Sequence, residues 1–217
     1  MKNEKPILFT GDMVKAVLDG RKTQTRRVVK RGVRVEYAEP VIDDGTGAFY
    51  HLGDDEIKCP YGQPGDRLWV RETWQIAHIY VDPETGYGED GEIYPGRIPA
   101  EHPGKPWDVV YAANMDDMTM CPEDRFIRRY RPSIHMPRWA SRINLTVTDV
   151  RVERVQEISS RDAWAEGCRC KCLSPVPQCA GNAVAFQSIW DSINLKRGYG
   201  WDVNPWAWVV TFEKDDA

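Results

Sequence analysis

Residues 20–27 read Gly20-Arg21-Lys22-Thr23-Gln24-Thr25-Arg26-Arg27, and the reading of the fold turns on what stands on either side of them. Before this stretch, Asp12 offers a helix N-cap, and Met13, Val14, Val17 and Leu18 share one helical face. Gly20 then stands where a C-cap glycine belongs. After it, Thr23, Thr25, Val28 and Val29 favour an extended segment. The spacing predicts a helix that stops sharply and passes its chain into a strand, with Lys22 and Thr25 delivered at the junction. Upstream, Ile7-Leu8-Phe9 predicts the end of a buried strand.

The rest of the chain alternates strand and helix signals. Residues 35–60 are rich in Gly and Asp and predict a hairpin or long loop. Pro64-Gly65-Asp66 is a turn, and residues 67–74 alternate as a strand does, with Glu72 on the apolar face beside Leu68, Val70 and Trp74. Residues 75–106 are punctuated by Pro and Gly throughout and read as an insertion, and residues 107–112 read as a strand. Residues 143–155 predict a long strand whose apolar phase slips once, the mark of a β-bulge. Ser159 or Ser160 caps a short helix carrying Ala163, Trp164 and Glu166 and ended by Gly167. Residues 183–193 predict a helix with Val184, Ile189 and Trp190 as core candidates, and residues 206–212 a closing apolar strand. The class expected is α+β, as one domain.

Composition narrows the possibilities. The chain has 217 residues, 41% of them hydrophobic, which suits one substantial core. No apolar run is long enough to cross a membrane, and no secretion signal opens the sequence, so a cytoplasmic protein with no membrane partner is expected. The net charge of −4 argues against a nucleic-acid partner, but the distribution argues for one. Residues 21–34 hold seven and residues 125–142 hold six of the 29 basic residues, and neither window contains an acid. Such segregation focuses a positive field on an acidic body. Two solvated basic faces with local partners remain the competing reading.

The six cysteines are Cys59, Cys121, Cys168, Cys170, Cys172 and Cys179. Without a secretion signal, disulfides are not expected. Cys168, Cys170, Cys172 and Cys179 form the one cluster that could hold zinc, but structural zinc favours two to four residues between paired ligands. Only Cys168 and Cys172 meet that spacing, so free thiols on a loop, no metal and no cofactor are the expectation.

Lys22 and Thr25 offer an amine beside a hydroxyl, the makings of a base and a nucleophile once Lys22 is desolvated. A straight strand would face them apart; a turn at Thr23 would bring them together. The plainer alternative is that Lys22 and its neighbours Arg21, Arg26 and Arg27 complement the helix C-terminus. Arg138 and Arg142 flank Trp139, a combination suited to phosphate contact and base stacking, although a core tryptophan fits the same residue. Glu72 reads either as part of a binding site or as a buried partner for an arginine. His135 has no second metal ligand near it in sequence.

Taken together, Gly20-x-Lys22-x-x-x-x-Arg27, Pro64-Gly65-Asp66-x-Leu68, Val150-x-Val152-x-x-Val155 and Ser160-x-x-Ala163-x-x-Glu166-Gly167 resemble an ASCH domain, in motif and in order. Residues 134–142 and 190–194 are similar to ASCH proteins of phages and prophages. The resemblance covers the chain apart from insertions at about residues 75–135 and 168–182. It implies a PUA-like small β-barrel with a few flanking helices, whose cleft takes RNA, a modified base or a nucleoside, with single-stranded DNA as a further candidate. One compact bacterial member removes the acetyl group of N4-acetylcytidine with a lysine, a threonine and a glutamate, which match Lys22, Thr25 and Glu166. The resemblance thus implies a catalytic set of those three and substrate contacts from Arg21, Arg26, Arg27, Glu72, Arg138, Trp139 and Arg142. A non-catalytic nucleic-acid binder, a ribonuclease and a phage protein that engages a host protein are the alternatives.

Overall fold

The computed structural model describes residues 4–30, 38–40, 49–52, 55–81, 88–93, 97–105, 107–114, 130–172 and 176–215. Cys121 lies outside this set, as do Arg31 and Arg34 of the first basic window and Arg125, Arg128 and Arg129 of the second. The chain is a mixed α+β protein. It opens with β1 (Glu4–Leu8), α1 (Gly11–Leu18) and β2 (Gln24–Val28), followed by three short strands, β3 (Ala38–Pro40), β4 (Phe49–Leu52) and β5 (Asp55–Lys58). Next come β6 (Arg67–Arg71), β7 (Trp74–Val81), β8 (Gly88–Ile93) and β9 (Trp107–Tyr111). The last part holds β10 (Asn144–Arg154), α2 (Ser160–Ala165), α3 (Gly181–Asn194) and β11 (Trp206–Lys214). Among the described residues no helix is long and apolar enough to cross a membrane.

Five strands form one sheet in the order β1-β6-β10-β11-β2, an order with two ends. The chain divides into two compact units: one of Met1–Lys5, Ala16–Leu68 and Asn144–Ala217, the other of Pro6–Lys15 and Trp69–Ile143.

In the first unit, β11 runs antiparallel between β10 and β2, pairing Val210 with Val150 on one side and with Thr25 on the other. Ala207, Trp208, Val209, Val210 and Phe212 are all buried, so this strand is covered on both faces. That is why it reads as a continuous apolar run rather than an alternating one. The expected bulge falls between Val147 and Asp149, where the register of β10 against β11 shifts. The strand β2 pairs without interruption from Gln24 to Val28. One core cluster joins Val155, Ile158, Ala163, Phe186, Trp190 and Ala207.

Of the three core candidates expected on α3, Trp190 turns inward and Val184 and Ile189 do not. Val184 is 64% exposed and Ile189 40%, whereas Asn182, Phe186, Trp190 and Asn194 are buried. These four recur every four residues, and the stripe includes two asparagines that apolar patterning passes over. Asn194 Nδ2 donates to the carbonyl of Trp190 at 3.1 Å, which satisfies its buried amide within the helix.

In the second unit, β7 is the middle strand, antiparallel to both β8 and β9. Strands β7 and β8 occupy a segment read from sequence as a turn-rich insertion: its glycines and prolines bound the strands, and Gly88 and Gly91 lie within one. Trp74, Ile76, Met136 and Ala140 form the core cluster here. The segment 35–60 likewise contains an antiparallel meander, β3-β4-β5.

Candidate functional site

Two sharp chain reversals build the site in the first unit. Past the end of α1, Gly20 takes φ +69°, and the N–H groups of Arg21 and Lys22 both donate to the carbonyl of Ala16, at 2.8 and 2.9 Å. This cap stops the helix and turns Lys22 back. On the other side, Ser159 caps α2: its Oγ accepts from the N–H of Asp162 at 3.0 Å, and Asp162 reaches back to Ser159. Glu166 is the C-cap residue of that helix, and Gly167 follows at φ +87°. An isolated antiparallel bridge joins Lys22 to Glu166, and the N–H of Thr23 donates to the carbonyl of Ala165 at 2.8 Å. Two helix ends, 144 residues apart in sequence, are thereby held side by side.

The Lys22 side chain is fully removed from solvent, and that of Glu166 is 5% exposed. Lys22 Nζ donates to Glu166 Oε2 at 2.7 Å, to the Gln24 carbonyl at 2.7 Å and to the Glu166 carbonyl at 3.0 Å. Burial pushes the Lys22 amine below its ordinary value of 10.5; Glu166 opposes this by charge and hydrogen bond, and Arg27 reinforces it.

Glu166 Oε1, the second carboxylate oxygen, lies 3.5 Å from Arg26 Nη1. It is buried and makes no hydrogen bond among the described residues. Arg26, whose side chain is also fully buried, pairs through Nη2 with Glu153 at 2.7 Å and approaches Asp162 at 3.7 Å. Arg151 continues the chain of charges, bonding Glu153 and donating to Asp162 at 3.1 Å. Burial alone would raise the Asp162 carboxyl, but the Ser159 hydrogen bond, Arg26 and Arg151 together hold it below the usual range.

Lys22, Arg26 and Arg151 thus alternate with Glu166, Glu153 and Asp162. A buried ion network is a poor way to stabilise a core, since desolvation offsets most of the attraction. Such groups, with a perturbed lysine among them, mark candidate sites. Sequence reading missed Arg151, Glu153 and Asp162. The available signal was the i, i+2 pair Arg151 and Glu153, which strand alternation in β10 places on one face.

The other expected residues are distributed differently. Strand alternation puts Thr25 and Arg27 on the face of β2 opposite to Gln24 and Arg26, and Thr25 is buried there against the β11 ladder. Arg27 is partly buried; burial lowers its pKa, while Tyr61 and Glu166 raise it. Arg21 faces solvent and pairs with Asp19 at 2.7 Å.

Glu72, Arg138, Trp139 and Arg142 belong to the second unit. Glu72 is buried and accepts two hydrogen bonds from Arg142, each at 2.9 Å, while the Arg142 guanidinium stacks 3.9 Å from the Tyr111 ring centroid. This is the partner-for-an-arginine alternative. Trp139 is half-buried, donates to the Pro99 carbonyl at 3.1 Å and meets Trp74 edge-on. Arg138 lies over Trp69.

The cysteines also depart from expectation. Cys170 and Cys172 are joined as a disulfide, and Cys179 Sγ stands 3.9 Å from Cys172 Sγ. Cys168 takes no part: it is buried in the core cluster, where burial pushes its thiol up to about 11. Cys59 is likewise a free buried thiol, pushed up to about 11.

Comparison with family models, with curated proteins and with solved structures gave no match.

Proposed function

We propose that this chain is an ASCH-type protein with a PUA-like barrel. In this reading it binds RNA or a modified nucleoside and hydrolyses an amide on an acylated cytosine-type base. The observation that supports this reading is the Lys22–Glu166 pair: a desolvated amine touching one carboxylate oxygen, with the other oxygen, Oε1, buried and without a hydrogen bond among the described residues. That acceptor, held only by charge beside Arg26, suits the N–H of an acylated exocyclic amine. Lys22, when neutral, takes a proton from water as the water adds to the acyl carbonyl. Glu166 accepts a hydrogen bond from the ammonium so formed and relays a proton to the departing amine nitrogen. Arg26, 3.5 Å from Glu166, supplies a fixed positive charge for the oxyanion beside that of Lys22. Water is preferred here to the Thr25 hydroxyl as nucleophile, because Thr25 lies on the opposite face of β2.

A second reading, a non-catalytic binder, is favoured by one specific feature. Three acceptors among the described residues surround Lys22 Nζ, which suits a charged ammonium with three N–H donors. The two readings part on one experiment. The chain and its Lys22→Arg variant are incubated with N4-acetylcytidine, short RNA and single-stranded DNA. Products are separated by chromatography and binding is followed in parallel. A hydrolase releases acetate and cytidine, and Lys22→Arg binds but does not turn over, because a guanidinium cannot serve as the base. A binder retains most of its affinity and yields no product from either chain. Cleavage of the RNA itself points to a ribonuclease, and a Lys22→Arg variant at full rate refutes the role given to Lys22.

A further inference from the structure

The loop between α2 and α3 collects three sulfurs that the site above does not use. The ligand atoms of Cys170, Cys172 and Cys179 all lie within 4.8 Å of one another. A disulfide between Cys170 and Cys172 accounts for two of them and leaves the convergence of the third unexplained.

The surroundings are built to hold all three together. Asn182, completely buried in the first turn of α3, accepts a hydrogen bond from the Cys170 N–H at 3.0 Å. Its amide nitrogen donates to the carbonyls of Val176 at 2.9 Å and Pro177 at 3.3 Å. One side chain therefore ties the segment bearing Cys170 to the segment leading into Cys179. Gly181 completes the cradle: a Cβ there would stand 2.7 Å from Cys170 Cβ, 3.6 Å from Cys179 Sγ and 3.8 Å from Cys170 Sγ. The positive end of the 14-residue helix α3 begins at the same residue and favours thiolates over thiols.

We propose that, in the reduced chain, Cys170, Cys172 and Cys179 bind one thiophilic divalent cation of the Zn2+ type through three thiolates, with the fourth position taken by an exogenous ligand. Zinc–sulfur bonds of about 2.3 Å in tetrahedral geometry set sulfurs about 3.8 Å apart. The Cys172–Cys179 separation of 3.9 Å already meets this spacing. Reduction delivers two electrons and two protons to the Cys170–Cys172 disulfide, giving two thiols: a dithiol supplies both and becomes a disulfide, whereas a phosphine supplies the electrons, water supplies the protons and the phosphine leaves as its oxide. Metal binding then displaces three thiol protons as three metal–sulfur bonds form, so oxidation to the disulfide and metal binding exclude one another. Cys168 is not a ligand in this arrangement, which separates it from a four-cysteine site.

The test uses the whole chain, reduced with a phosphine under inert gas, freed of metal by a chelator and titrated with Co2+. The expected result is one equivalent bound, with a thiolate charge-transfer band and the intense visible bands of tetrahedral Co2+, bleached by one equivalent of Zn2+. Cys179→Ser is expected to lose this stoichiometric binding, and Cys168→Ala to keep it. Absence of the thiolate band in the reduced chain overturns the proposal, whatever the variants do. Full retention by a folded Cys179→Ser, or loss in a folded Cys168→Ala, also overturns it. The oxidised chain, titrated in the same way, is expected to bind no metal at this loop.

Discussion

Substituting Glu166→Gln keeps the side chain's shape and removes its charge, which leaves the buried ammonium of Lys22 without its carboxylate partner, beside the neutral carbonyls of Gln24 and residue 166 itself. Removing one partner of a buried ion pair costs about 3–5 kcal/mol. Lys22 has one escape, which is to lose its proton. In the unfolded chain its amine titrates at its ordinary 10.5. Holding it neutral at pH 7 costs about 1.4 kcal/mol for each of roughly 3.5 pH units, about 5 kcal/mol, which caps the loss. The sign of the pH dependence follows from the direction of the shift. Burial already lowers the folded pKa of Lys22, and without Glu166 to raise it the pKa falls further. The unfolded chain then binds a proton that the folded variant lacks, so the variant gains up to about 1.4 kcal/mol of stability per pH unit as pH rises toward 10.5. In the parent chain Glu166 holds that proton to a higher pH, so the gap between the two proteins narrows as pH rises from neutrality. Urea unfolding of both chains at a series of pH values measures it. A loss below about 1 kcal/mol at neutral pH, or a gap that does not change with pH, would refute the desolvated pair.

Two further substitutions test the fold that carries the site. Phe186→Ala empties the core face of α3 and is expected to cost about 3–5 kcal/mol in urea unfolding, whereas Val184→Ala, on the exposed side, should stay within about 0.5 kcal/mol; the reverse order would sink the assigned helix face. Gly167→Ala forces a side chain onto a residue at φ +87°, with its Cβ 3.1 Å from Ala16 Cβ, and is expected to lower stability by at least about 1 kcal/mol and to loosen the Lys22–Glu166 bridge; an unchanged unfolding midpoint would show that this reversal carries no strain.

The sequence by itself determined much of what is local. The helix stop at Gly20, the turn at Pro64-Gly65-Asp66, the bulge in β10, the Ser159 cap and the closing apolar strand are each written in a few neighbouring residues, because caps, turns and periodicity act over one or two turns of chain. Lys22 and Glu166 were legible as residue types, and the ASCH resemblance implied their meeting, which no local pattern in the sequence encodes. That meeting depends on two helix ends brought together across 144 residues. The strands of the turn-rich segment were hidden because their glycines and prolines outweigh a pairing that only β7, lying between β8 and β9, supplies. The inward face of α3 was read correctly at Trp190 alone, because Asn182 and Asn194 are polar, and only the loop carbonyls and the helix itself show how their amides are satisfied. The place of Thr25 on the far face of β2, and the exclusion of Cys168 from the sulfur cluster, were likewise decided by tertiary structure. Burial and the pairing of distant segments determine which charges lose water and which meet, and no local pattern of residues encodes that.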